Sequence, residues 1–92
     1  MKLIEVVCDL HLADAEATIY AATPWTESSE AIIAREPDDG QSPAQAKELG
    51  LEYFLEILIA REFVEDWTTH LGGEPTLQQK CSRLIRYARD DA

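Results

Sequence analysis

Residues 51–71 read LEYFLEILIAREFVEDWTTHL, and how this stretch folds decides the architecture. Leu51, Phe54, Leu55 and Leu58 recur at helical spacing, and so do Val64, Trp67, Thr68 and Leu71. At about 100° per residue, the first stripe centres at roughly 0° and the second at roughly 190°. One straight helix cannot turn both stripes to one core. The spacing therefore predicts a change of structure near Ile59-Ala60, with a strand over about residues 51–58 and a helix over about 60–71. In that strand Leu51, Tyr53, Leu55 and Ile57 share one face, and Glu52, Phe54, Glu56 and Leu58 the other. A continuous helix over 44–71 is the alternative.

Downstream, Gly72-Gly73 supplies a helix stop, Pro75 blocks continuation, and Thr76 with Gln79 forms a capping-box pattern. In the next helix Leu77, Cys81, Leu84, Ile85 and Ala88 share an apolar face, opposite Lys80, Arg83, Arg86 and Arg89. Upstream, Leu3, Val6, Val7 and Leu10 predict a helix over about residues 2–12. The runs Ala17–Ala22 and Glu30–Glu36 read as strands of a hairpin, the second closed by the turn Pro37-Asp38-Asp39-Gly40. A helical turn is expected from Ser42, with Pro43 at its first position and Gly50 at its end. The whole reads as one small α+β domain over residues 1–92: an N-terminal helix, an antiparallel sheet of about three strands, and two C-terminal helices.

The segments TIYAATPWTESSEAII, GLEYFLEILIAREFVEDW and PTLQQ together resemble a family of small uncharacterised bacterial proteins, known as a domain of unknown function. The resemblance spans roughly residues 17–80 and rests on Tyr20, Pro24-Trp25, Ser29-Glu30-Ala31, the GLEYFLEI run and Pro75-Thr76-Leu77. It implies an α+β arrangement with a small sheet and implies no activity.

The net charge is −10, from 18 acids and 8 bases. Residues 1–79 hold four bases and sixteen acids, whereas residues 80–92 hold four bases and two acids. An acidic field of this size repels phosphate backbones and attracts cationic partners, so nucleic-acid binding is not expected. No apolar run approaches the roughly 20 residues that span a bilayer, and the acid-bearing N-terminus lacks the apolar core of a signal peptide. A cytoplasmic location away from membranes is expected, with Cys8 and Cys81 as reduced thiols.

Motifs for chemistry are sparse. Cys8 and His11 stand three apart, but only His70 and Cys81 remain to complete a zinc site, and no CxxC or HxxxH pair exists. A nucleophilic pairing of Cys81 with His70 has no surrounding motif to support it. No phosphate-binding glycine loop is present, and no cofactor is expected. Glu62, Glu65 and Asp66 cluster on the helix after the break, with Glu62 and Asp66 on one face. The bases of the last helix are expected to lie beside them. Pro24-Trp25 in the hairpin loop raises two readings: a plug for the core, or an aromatic binding tip beside Glu27 and Tyr53.

The expected function is therefore a non-enzymatic protein-binding or regulatory module of the immunity or antitoxin type. Its candidate surface is Trp25, Glu27, Tyr53, Glu62, Glu65 and Asp66, and its candidate partner a basic protein. Two alternatives are a homo-oligomeric accessory protein, such as a homodimer held by sheet edges or by the C-terminal helices, and a small ligand binder or enzyme that uses the Trp25 loop.

Overall fold

The break between strand and helix falls at Glu56-Ile57 with no loop between them. In a computed structural model, which describes residues 1–38 and 42–90, the chain runs α1 (Leu3–Cys8), a 3₁₀ turn (Leu10–Leu12), β1 (Thr18–Ala21), β2 (Ala31–Ala34), α2 (Ala44–Leu49), β3 (Glu52–Glu56), α3 (Ile57–Leu71) and α4 (Leu77–Asp90). The three strands form an antiparallel sheet in the order β2-β1-β3, and the fold is α+β. The helix starts three residues earlier than its sequence pattern indicates, because Ile57 and Ala60, both 0% exposed, are its fully buried core residues. A single helix over 44–71 is ruled out by β3. Asp39 and Gly40 of the expected turn lie outside the described residues.

The central irregularity sits in β3. Ile19 of β1 faces Leu55, but its neighbour Tyr20 faces Tyr53, so Phe54 is an extra residue without a partner on β1. Such a bulge breaks the strict alternation of side chains. Phe54 and Leu55, adjacent in sequence, are each 1% exposed and both enter the main core. Leu51 is carried instead to the opposite face, where it packs with Tyr20, Ile32 and Ala46. The expected single face of Leu51, Tyr53, Leu55 and Ile57 is therefore split in two.

Each sheet face acquires its own cover. Ile19, Ala21, Ala31 and Leu55 meet Leu3, Val6, Val7, Cys81 and Leu84 from α1 and α4, which pack on each other. Ala46 of α2 helps cover Tyr20 and Ile32 on the other side. Pro43 is the N-cap of α2 rather than its first residue, since its extended backbone (ψ 149°) precedes the helical turn. Gly50 and Gly72, at φ 70° and 76°, end α2 and α3 in the left-handed conformation that a glycine adopts without steric cost. The N-terminal helix is shorter than its spacing implies, giving way at Asp9 to the 3₁₀ turn. Thr76 and Gln79 cap α4 reciprocally: the Gln79 amide N–H donates to Thr76 Oγ1 at 3.1 Å, and the Thr76 amide N–H to Gln79 Oε1 at 2.8 Å.

The connection over residues 22–30 is ordered by its own hydrogen bonds and by those it offers. Thr26 N–H donates to Ser29 Oγ at 2.8 Å, and Ser29 N–H returns a bond to Thr26 O at 3.1 Å. The first amides of a helix have no partner within it. Here Leu3 N–H and Ile4 N–H, which open α1, donate to Ser29 O and Glu27 O at 2.8 and 3.0 Å. At the other end of that segment Arg61 of α3 donates to the carbonyls of Leu10, His11 and Ala13, tying the 3₁₀ turn to the helix.

Because Phe54 fills the core through the bulge, Phe54→Ala is expected to lower the unfolding free energy by about 3–5 kcal/mol, whereas exposed Leu58→Ala changes it by less than about 0.5 kcal/mol. Urea denaturation followed by circular dichroism measures both.

Candidate functional site

The two tryptophans occupy opposite situations. Trp25 is half-buried and packs its ring edge-to-face on Phe54, with centroids 4.9 Å apart. Its indole N–H donates to Ala21 O at 3.2 Å, so the polar end of the ring is satisfied by the strand that precedes it. The ring closes the main core at the bulge. One side of it still lines a shallow hollow with Thr23, Ser42, Leu51, Glu52 and Tyr53, which brings Trp25 and Tyr53 to one place. Tyr53 is 43% exposed and meets the buried Tyr20 edge-on at 6.3 Å. Burial pushes both phenols above their ordinary range, with Glu56 adding to the effect at Tyr53 and Glu36 at Tyr20. Among the described residues no group meets the Tyr20 hydroxyl, enclosed in the second core, at good hydrogen-bond geometry, although the Thr18 side chain lies near enough to oppose the upward shift.

Trp67 is half-buried too, but it packs against neither core and makes no ring contact or hydrogen bond among the described residues. Its position on the apolar stripe predicts a core residue. However, α3 outruns the core: after Ala60 no residue of the helix is fully buried. Leu71, the last residue of the stripe, is 51% exposed.

The acids Glu62, Glu65 and Asp66 are brought together on exposed positions of α3. They line a groove of about 610 Å³ whose apolar wall is Ile59, Phe63 and Tyr87. Phe63 of α3 and Tyr87 of α4 stack at 4.3 Å with 22° between their planes. The bases of α4 do not neutralise these acids. Arg83 lies over the Phe63 ring, 5.0 Å from its centroid, Lys80 pairs with Glu74 at 3.2 Å, and Arg89 with Asp90 at 3.2 Å. Among the described residues Glu62 and Glu65 have no ion pair, and Asp66 has only His70 at 3.6 Å, a pair that is charged only when the imidazole is protonated. The reason is geometric. Phe63 and Tyr87 occupy the seam between the helices, and Arg83 spends its guanidinium on the aromatic face.

Glu27 stands apart from the groove. It lies with Trp67, Thr76, Gln79, Ser82, Arg83 and Arg86 in a second cleft. The six residues singled out from sequence thus divide among three places: Trp25 with Tyr53, the three acids together, and Glu27 beside α4. Phe63, Tyr87 and Trp67 were missed. The alternation of Phe63 and Trp67 with acids on α3 was their only local signal.

Among the described residues no three His, Cys, Asp or Glu side chains converge as metal ligands, and no helix is long and apolar enough to cross a membrane. Cys8 is exposed, whereas Cys81 is 0% exposed. Burial, reinforced by the charge of Glu27, pushes the Cys81 thiol from 9.0 up to about 11. His70 is exposed and bonded to Asp66 O through Nδ1 at 2.8 Å, far from the situation of a base activating a thiol. Compared with protein-family models, curated proteins and solved structures, the chain matches none of them.

In the native protein a thiol reagent is expected to modify Cys8 quickly and Cys81 only upon unfolding, read as one fast thiol by absorbance. The folded state keeps the Cys81 proton that the unfolded chain releases, so stability falls as pH rises from 9.0 towards about 11. Chemical denaturation across that window should show a shallower fall for Cys81→Ala.

Proposed function

We propose that the chain is a non-enzymatic binding module that recognises a basic protein segment through the acidic groove of α3. The observation that carries this reading is the unneutralised state of Glu62, Glu65 and Asp66 beside a preformed aromatic pair. Carboxylates on a rigid helix give a lysine or arginine its counter-charge, and the exposed parts of Tyr87 and Ile59 give its methylene stem an apolar wall. The net charge of −10 adds long-range attraction and accelerates encounter. A regulatory or inhibitory module of the immunity or antitoxin type, acting on a basic partner, needs no more machinery than this.

Homodimerisation through the sheet is the weaker reading. β3 is an outer strand, and Glu52 and Glu56 stand exposed along it. Charges on an edge strand oppose pairing with a second copy.

Affinity capture at low salt is expected to recover a stoichiometric basic protein whose binding weakens steeply with ionic strength. The double variant Glu62→Lys/Asp66→Lys should weaken that complex by at least about tenfold while the fold persists, because both positions are exposed. Recovery of the same partner with unchanged affinity by the variant contradicts the proposal.

A further inference from the structure

Trp67 and the arginines of α4 form a second constellation that the acidic groove does not use. The cleft between the C-terminal half of α3, the first turns of α4 and the loop before β2 measures about 600 Å³. Trp67 forms its apolar side, and Arg83 and Arg86, one turn apart on α4, form its basic side. The Gln79 amide and the Ser82 hydroxyl also line it. Gln79 uses its Oε1 to accept from Thr76, which leaves its NH₂ group as a donor.

Two features separate this cleft from an ordinary solvated helix face. The first is a tryptophan outside the cores: among the described residues Trp67 belongs to neither core and has no aromatic partner, although an indole is among the largest apolar groups a small domain can bury. The second is charge. In a chain with 18 acids and 8 bases, Arg86 is exposed with no ion pair among the described residues, and Arg83 is held by the Phe63 ring rather than by a carboxylate. Glu27 lies in the same cleft, yet it stands beyond ion-pair distance of both arginines.

We propose that this cleft binds an oxyanion, carboxylate or phosphate, carried on a flat apolar body. The guanidinium forks of Arg83 and Arg86 match the geometry of either anion. The indole of Trp67 receives the flat body, and Gln79 and Ser82 supply further donors. Glu27, in the same cleft, opposes the ligand by like charge. The cleft adjoins the acidic groove at Arg83, which lies over Phe63. Of the two, Trp67, Gln79, Ser82 and Arg86 line only the cleft, and Glu62 and Glu65 only the groove, so variants at those positions test the two proposals separately.

The test is a titration of the whole protein with inorganic phosphate, phenyl phosphate and benzoate, followed by nuclear magnetic resonance of the two indole N–H signals. The expected result is a saturable shift of the Trp67 signal with Trp25 unmoved. Phenyl phosphate should bind several-fold more tightly than inorganic phosphate, since only it engages the ring. The comparison with benzoate identifies which oxyanion is preferred. Arg83→Gln/Arg86→Gln should weaken the tighter aromatic probe by about tenfold or more, and Glu27→Gln should strengthen it. Trp67→Ala should abolish the advantage of phenyl phosphate over inorganic phosphate. All four positions are partly or fully exposed, so these variants retain the fold. The proposal is overturned if no probe shifts Trp67 saturably at millimolar concentration. It is equally overturned if the arginine variant binds as tightly as the parent.

Discussion

One extra residue in an edge strand sets the rest of this molecule in place. By bulging at Phe54, β3 sends two consecutive large side chains, Phe54 and Leu55, into the same core. The main core therefore gains an aromatic ring that strict alternation would have turned to the opposite face. That ring needs an apolar partner at the sheet margin, and Trp25 supplies it edge-on. Because Trp25 is anchored, the loop that holds it is fixed as well, and its Glu27 and Ser29 carbonyls become acceptors for the first amides of α1. A single backbone irregularity thus couples β3, the loop before β2 and the N-terminal helix.

The same strand ends without a loop, and this decides which surfaces are left for binding. With the helix starting at Ile57, its last fully buried residue is Ala60, and only the partly buried Phe63 and Val64 touch the core beyond it, among the described residues. The remaining turns of α3 are held by the 3₁₀ turn, through Arg61, and by α4, through Phe63, Tyr87 and Arg83. Their outer positions are open to water, and the sequence fills them with acids on one side and Trp67 on another. A helix that overruns its core offers rigid, exposed side chains at fixed spacing, which is what recognition surfaces require. The position of Pro75, buried after the Gly72-Gly73 stop, turns α4 back so that its arginines stand beside that overhang.

Much of this was legible in the residues. The opposed phases of two apolar stripes revealed that residues 51–71 could not be one helix, and Thr76 with Gln79 marked the start of α4 at the residue where it is found. The break itself was read too late, because a strand and a helix can meet inside a continuous apolar run with no turn residue to mark it. The bulge was invisible for a related reason: it arises from pairing with β1, and nothing local to EYFLE announces it. For the site, the clustering of Glu62, Glu65 and Asp66 followed from helical spacing alone. Their separation from the bases of α4 did not, since the competing contact of Arg83 with Phe63 depends on how the helices pack. Trp67 was misassigned to the core because periodicity tells which face a residue occupies and not how far the core extends along that face.

The central claim is that the loop tryptophan is structural and the helix tryptophan belongs to the surface. Hydrogen exchange of the two indole N–H groups in the unaltered protein tests it most directly. The Trp25 N–H, bonded to Ala21 O against the core, should exchange slowly, and the Trp67 N–H, which has no such partner among the described residues, should exchange at the rate of an unprotected indole. Equal protection of the two, or slower exchange at Trp67, would contradict the account.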